Sequence, residues 1–488
     1  LRKKLVTNSL INLVGQIIPV LVGIFAIRVV VHGLGIEEFG LLTLLWAALG
    51  YFAFLDLGLG RAIIKFVAEG FEKGDREKNS GYFWYSMGVM TVLSIAGTII
   101  LNIFAPFIVD LLTEIPPYLS QTALTSFRVM GFMIPLVIWT SALRGVLEAD
   151  ARFFLANILT AINGICNYLV PAIVITFGGR LDTIMITLFA VRIVILVIHC
   201  FIIFGNYPEF RKIQRLSKED IKKVLSFGGW ATVSNIISPM MVYFDRFVLS
   251  SMLPVGKIAY YTTPYEMVSR LMIIPAAIAR TLFPELSKTS KGGDSIEELF
   301  SQSLKYVLSI MFFIAAVLIL FSHFGLRIWL GEDFANNSYL ILQIFSLGLF
   351  FNALGNIPYT YVHSMGRPDS TAKMHLIELP IYMGLLFSMV KSFGLLGAAW
   401  AWCLRSALDF FILTYLTVRV DPSLKNFWKY FYKRISALLV VLVGLVTLHF
   451  GPYYYLYGTS LIVVSAIAIW FLILDQRDRD FILKRVPR

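Results

Sequence analysis

The chain has 488 residues, of which 58% are hydrophobic and only 15% charged, and it carries a formal net charge of +12. So little charge over so long a chain excludes a soluble globular protein, and continuous rather than alternating apolar runs exclude a membrane β-barrel. The basic excess is read as membrane topology, not as a nucleic-acid footprint.

Apolar runs of roughly 20 residues, the length that crosses a bilayer core as a helix, recur from one end to the other. They predict about fourteen spans, near 8–31, 39–62, 82–109, 119–143, 153–177, 183–205, 225–250, 258–283, 305–330, 338–363, 373–391, 395–417, 434–450 and 454–474. Little chain remains outside them, which leaves no room for a soluble catalytic domain. The stretch "NYPEFRKIQRLSKEDIKK" is the longest polar connection between spans. Its end reads as a short amphipathic helix capped by Ser217 on the cytoplasmic surface. On this reading residues 1–205 are an N-terminal lobe of spans 1–6, and 206–224 are the amphipathic linker. Residues 225–418 are a C-terminal lobe of spans 7–12, and 419–488 hold spans 13 and 14 with a basic tail.

Lys and Arg gather at alternate boundaries: Arg2, Lys3 and Lys4; Lys73, Arg76 and Lys78; Arg211 to Lys223; Lys288 and Lys291; Arg419 to Lys433; and the tail "DQRDRDFILKRVPR". The intervening connections "HGLGIEEFG", "DLLTEIPPYLS" and "HFGPYYYLYG" contain neither residue. Both termini are therefore expected in the cytoplasm. Spans 1 and 7 share an early Asn, a mid-span proline (Pro19, Pro239) and an arginine near the outer end (Arg28, Arg246), as expected of parallel repeats.

Ionisable residues at bilayer depth cost roughly 3 kcal/mol or more per charge on insertion scales, so they are turned toward partners or a wet cavity. The embedded basic residues are Arg28, Arg61, Lys65, Arg128, Arg192, Arg246, Arg270, Arg280 and Arg405, and they outnumber the acidic Asp56, Asp245, Glu266, Glu378 and Asp409. A surplus of arginine favours an anionic ligand, because guanidinium forks match phosphate oxygens and stay charged at any working pH. Arg28, Arg246 and Arg270, with Arg128 and Arg61, are the candidate cationic cavity; a structural ion-pair network is the competing reading. Arg61, Lys65 and Arg280 lie toward cytoplasmic ends, where snorkelling explains them equally well. Arg128 and Arg192 are read either as cavity lining or as contacts that stabilise a lobe. Asp56, Asp245, Glu266 and Glu378 are the gating or ion-coupling candidates. Asp245 and Arg246 are helix neighbours about 100° apart and do not face one another. Glu266 with Arg270, and Arg405 with Asp409, have the spacing of intrahelical pairs. Asp56 either pairs with Arg61 or caps a break in span 2. Glu378 competes with a structural role beside Lys373 or Arg405.

The histidines are scattered without metal-site spacing, Cys166, Cys200 and Cys403 sit inside spans, and no phosphate-binding loop motif occurs, so no metal, cofactor or ATPase site is expected.

"LGIEEFGLLTL" followed by "FLDLGLGRAIIKFVAEG", then "YFDRFVLSSMLPVGKIAYYTTPYEMVSRLMIIPAAIARTLFPELSK", resembles the first and fourth span hairpins of polysaccharide flippases. "HSMGRPDSTAK" and "SFGLLGAAWAW" resemble the connections around spans 10–12 of the same group, the O-antigen-type flippases of the multidrug/oligosaccharidyl-lipid/polysaccharide exporter superfamily. The resemblance implies an all-α polytopic fold: two six-helix lobes in a V around a central cavity, plus two C-terminal helices. It implies a flippase, not an enzyme, that moves an undecaprenyl-pyrophosphate-linked oligosaccharide across a bacterial cytoplasmic membrane by alternating access. Membrane lipids, a polysaccharide polymerase and a chain-length regulator are the implied partners. A lipid II flippase and a multidrug or cation antiporter of the same superfamily are the rivals within transport, and the interior charge opposes the antiporter. A polymerase, which would need a large external loop, and a non-transporting assembly subunit are the rivals from other classes.

Overall fold

The computed structural model describes residues 2–112, 115–288, 294–447 and 453–473, with 476 and 479. The side chains of 2–17 and 227–239, and hence the early asparagines and Pro239 of the expected repeat, lie outside what is described, as do Lys291 and most of the basic tail. The described residues form helices without strands, in two compact units, 1–259 and 260–488.

The first unit contains α1 (Arg2–Leu34), α2 (Ile36–Phe52), α3 (Leu59–Lys73), α4 (Arg76–Leu111), α5 (Pro117–Ala149), α6 (Phe153–Thr176), α7 (Leu181–Asn206) and α8 (Lys218–Met252). The helix of expected span 7 is thus counted with this unit. The second contains most of α9 (Val255–Arg270), then α10 (Ile273–Lys288), α11 (Asp294–Leu320), α12 (Ser322–Leu330), α13 (Glu332–Ser364), α14 (Pro368–Val420), α15 (Leu424–Thr447) and α16 (Tyr454–Ala468). Ten described helices are long and apolar enough to cross a membrane; this is a multi-pass membrane protein.

Among the described residues each expected span falls on helix, but several are interrupted. Span 2 stops at Phe52 and restarts at Leu59; span 8 divides between α9 and α10; span 9 divides at Phe321. Spans 11 and 12 run together as α14, which turns at Gly394 with φ 58 and ψ −132. In a straight helix Glu378 and Arg405 would be about 40 Å apart, yet they form an ion pair. The element is a helical hairpin folded at that glycine.

The polar linker is docked, not loose. Phe210 is fully buried against Phe71, Phe83 and Tyr207. Trp84 Nε1 donates to Phe210 O at 2.8 Å, and the Ser80 hydroxyl donates to Lys212 O. Ser217 then caps α8, its hydroxyl accepting from Asp220 N at 3.1 Å, as its place in the sequence anticipates.

At the opposite end of the same unit, buried Glu38 accepts from Arg180 Nε at 2.8 Å, tying the start of α2 to the start of α7. That bond, ahead of the carboxylate's Coulomb attraction, raises the Arg180 pKa.

Candidate functional site

The stretch "FLDLGLG" makes the break in span 2. After Phe52 a single 3-10 turn runs to Asp56; Leu57 and Gly58 then take left-handed conformations, φ 47 and φ 70. Asp56 Oδ1 accepts from Gly58 N at 2.7 Å, an Asx-type bond that holds the chain open. Of its two expected roles, Asp56 takes the capping one.

The break leaves Asp56 on the wall of a cavity of about 210 Å³ whose other walls come from α5, α6 and α7. Thr140, Ser141 and Arg144 line it from α5, Thr160 and Asn163 from α6, and Arg192 and His199 from α7, over a floor of Leu136, Leu159 and Ile195. Several of these groups are already committed. Thr140 and Thr160 donate to carbonyls one turn back, at 2.7 and 2.8 Å. His199 Nδ1 lies 2.8 Å from Ile195 O, so it carries the proton there and Nε2 is left as acceptor. Arg144 Nε meets Glu148 Oε1 at 3.1 Å, one turn on. Arg192 Nη2 donates to Asn167 Oδ1 at 3.3 Å. Its Nε is enclosed without a hydrogen-bond partner, and among the described residues no carboxylate lies within ion-pair distance of it.

The second unit holds a different polar cluster, assembled by the α14 hairpin. Glu378 is 2% exposed. Its Oε2 lies 3.1 Å from His375 Nδ1, and its Oε1 lies 3.8 Å from Arg405 Nη1. The Arg405 guanidinium stands 5.3 Å from the centre of the Tyr382 ring, a cation–π contact. Of the two partners considered for Glu378, Arg405 takes the position, while Lys373 pairs with Asp369 at 3.6 Å. Asp409, one turn from Arg405, has no ion pair with it within 4 Å among the described residues; its Oδ1 is buried without a hydrogen bond. Ligand atoms of His375, Glu378 and Asp409 all lie within 4.8 Å of one another, close enough to hold a cation. Beside the cluster, α14 lines a pocket of about 350 Å³ with Arg367, Lys373 and Arg419 on its wall.

The remaining sequence candidates are placed as follows. Arg28, Arg61 and Arg128 are exposed on α1, α3 and α5, and none has an ion pair within 4 Å among the described residues. Asp245 and Arg246 on α8 are each 1% exposed. Asp245 Oδ1 accepts from the Arg246 backbone N at 2.8 Å, and the Arg246 guanidinium lies 5.1 Å from the centre of the Tyr243 ring. On α9, Arg270 Nη2 pairs with Glu266 Oε2 at 3.3 Å, one turn apart as expected. The sequence names Arg192 without its neighbours, pairs Asp409 with Arg405 where the structure sets it beside His375 and Glu378, and does not single out Arg144, His199 or His375. For His375 the spacing to Glu378, three residues along a helix, was the visible signal. For Arg144 and His199 no local signal existed.

Residues 4–290 match the family described as polysaccharide biosynthesis protein. The chain is 34% identical to a putative O-antigen transporter of Shigella flexneri, over 86% of this chain and all of that protein. Its fold is similar to that of an inward-facing multidrug resistance MATE family transporter of the MOP superfamily, with TM-score 0.72 at 14% identity, covering 85% of this chain and 98% of the other. It is also similar to lipid II flippase MurJ in an inward closed conformation, with TM-score 0.70 at 15% identity, covering 98% and 100%. These two likenesses are of fold alone: the chain has the fold of these two transporters.

Proposed function

The chain belongs to the polysaccharide biosynthesis protein family, and from that premise we propose that it flips an undecaprenyl-pyrophosphate-linked oligosaccharide repeat unit from the inner to the outer face of a bacterial cytoplasmic membrane. It is a transporter and not an enzyme. The observation that carries the reading is electrostatic. Arg28, Arg61 and Arg128 stand exposed on α1, α3 and α5 with no carboxylate in ion-pair distance among the described residues. A guanidinium in that position is stabilised by an anionic ligand, and its fork matches phosphate oxygens. The same sign repels the cations that a drug antiporter would carry.

In this mechanism the six-span lobes, 1–205 and 225–418, rock about a central cavity, with both termini in the cytoplasm. The inward-open state admits sugars and pyrophosphate, arginines take up the phosphate charge, and the lipid tail stays in the bilayer. Arg246, 1% exposed in this conformation, and Arg270, beside Glu266, are the further phosphate-binding candidates; Asp56, Asp245 and Glu266 act in gating. Glu378, with His375 and Asp409 beside it, is the coupling site for a proton or cation. The flipped unit then passes to a polymerase and its chain-length regulator.

The test is transport of a lipid-linked oligosaccharide and of lipid II in proteoliposomes, beside surface polysaccharide in a flippase-null strain. The triple substitution Arg28→Gln, Arg61→Gln, Arg128→Gln should insert normally and lose export. Export by the triple variant equal to wild type would discredit the cationic path. Transport of lipid II alone would reassign the substrate.

A further inference from the structure

The cavity between α5, α6 and α7 enters the mechanism above only through Asp56 on its wall; the phosphate-binding arginines named there are not among its lining residues. We propose that it is a phosphate seat, with Arg192 as the residue that grips the oxyanion and Arg144 as its companion at the mouth. The inference rests on the reading that the substrate is a lipid-linked oligosaccharide joined through phosphate, and it assigns the phosphate a place.

The argument begins with the cost of Arg192. It lies near the middle of α7, and its neutral contact with Asn167 satisfies one Nη2 donor while Nε–H remains enclosed and unbonded. A charge taken out of water without a counter-charge is strongly unfavourable, and an unmade hydrogen bond adds to that cost. A purely structural arginine would have a carboxylate beside it, as Arg405 has Glu378. Arg192 has the cavity beside it instead.

The cavity's donor inventory selects the ligand. Of the two guanidinium groups on the wall, Arg144 is already paired with Glu148, which leaves Arg192, with Asp56 elsewhere on the lining, as the guanidinium without a carboxylate in ion-pair distance among the described residues. The Asp56 charge is partly spent on Gly58 N. The apolar floor of Leu136, Leu159 and Ile195 keeps the local dielectric low, which strengthens a guanidinium–phosphate bond. The committed threonines and His199 Nε2 offer acceptor lone pairs, suited to a protonated phosphate oxygen or an adjoining sugar hydroxyl. Entry is open, because the Arg144 side chain is 42% exposed and Thr160 is exposed.

The experiment uses the full chain in lipid nanodiscs, with farnesyl diphosphate and farnesol as probes and binding read by calorimetry. Wild type should prefer the diphosphate, and Arg192→Gln should lose about 10- to 100-fold in affinity for it while binding farnesol unchanged. Arg192→Lys, which keeps the charge and loses the fork, should fall between; it also serves if the glutamine variant does not yield monodisperse protein. Equal affinity of wild type for the two probes, or a folded Arg192 variant that binds the diphosphate as wild type does, overturns the seat. Inorganic pyrophosphate is the third probe. Weak competition supports a lipid headgroup as the natural source, whereas competition equal to farnesyl diphosphate overturns the lipid-linked assignment and leaves a free-phosphate site. Binding is measured without transport, so the two readings fail separately. Arg192-dependent diphosphate binding in a chain that flips nothing removes the flippase reading alone. Flipping that survives Arg192→Gln with unchanged binding removes the seat alone.

Discussion

The Tyr82 hydroxyl donates to Asp220 Oδ1 at 3.1 Å, across 138 residues of chain, and fastens the first turn of α8 to the start of α4. Asp220 Oδ2 also meets Lys78 Nζ at 3.2 Å and accepts from the Ser217 hydroxyl at 2.9 Å. Burial alone would raise the Asp220 pKa, but hydrogen bonds from Ser217, Lys78, Tyr82 and Lys223 outweigh it and hold the group at about 2, against an ordinary 3.8. A carboxylate whose pKa is depressed on folding stabilises the folded state above its unfolded value and loses that contribution as pH falls through the folded one. Lys78 and Lys223 are 42% and 60% exposed, so solvent screening reduces the contribution to about 1 kcal/mol. Asp220→Asn should lower the thermal unfolding midpoint at pH 7. The gap to wild type should narrow below pH 3.8 and close as pH passes about 2. A gap that is the same at pH 7 and near pH 2 would show that charge has no part in it.

The α14 hairpin should be sensitive to single carbons. Gly394, with φ 58 and ψ −132, occupies backbone space that side chains avoid. A Cβ at Gly397 would lie 1.9 Å from Met389 O, so the two arms touch backbone to backbone. Gly394→Ala should cost about 1–3 kcal/mol through strain and Gly397→Ala a similar amount through overpacking. Gly384, whose Cβ would meet nothing within 4 Å, is the control and should tolerate alanine. Detergent-solubilised unfolding midpoints read all three, and equal midpoints would contradict the close approach.

These glycines also mark where the sequence stops being legible. Hydropathy places apolar helices where the described residues have them, because apolar length is a property of contiguous residues. The breaks within spans 8 and 9 are not legible, since "SRLMII" and "LILFSHFG" offer only a polar residue or two beside the break and neither proline nor a glycine turn within it. The break at Asp56 was visible, because a short carboxylate before two glycines has a local hydrogen-bond reason to leave the helix. Site residues divide the same way. Glu266 with Arg270 is local and readable. Asp409 beside Glu378 and His375 needs the hairpin at Gly394, and Arg192 on one cavity wall with Asp56 on another needs three helices to meet. Arg246 was singled out for its charge, but its 1% exposure depends on packing that the sequence does not state.

The Glu378–Arg405 pair yields a cycle whose sign is informative. Both side chains are buried, and removing one partner leaves a charge without compensation, at a cost of about 3–5 kcal/mol. Arg405→Leu leaves Glu378 with His375 and Asp409, a surplus of carboxylate. Removing both charges by Glu378→Leu with Arg405→Leu should cost less than the sum of the single changes, with a coupling of about 1–3 kcal/mol. Additive losses in unfolding midpoint would mean that the two residues contribute independently.

The last prediction separates shape from charge at the break in span 2. Asp56 Oδ1 caps Gly58 N, and an asparagine keeps that acceptor while removing the charge. Asp56→Asn should therefore leave the unfolding midpoint nearly unchanged, whereas Asp56→Ala should cost about 1 kcal/mol, the usual worth of such a cap. Leu57 makes the cap necessary, because a non-glycine residue at φ 47 is held there against its own preference. Leu57→Gly should thus recover part of the loss in an Asp56→Ala background by relieving that strain, although glycine's greater freedom in the unfolded chain opposes the gain. Rescue by Leu57→Gly together with tolerance of Asp56→Asn assigns the carboxyl's structural role to its oxygen. Its charge on the cavity wall then opposes the binding of an anion, which Arg192 favours. An Asp56→Asn variant as unstable as Asp56→Ala would place the charge itself in the fold, and its effect on the cavity would then be a by-product of stability.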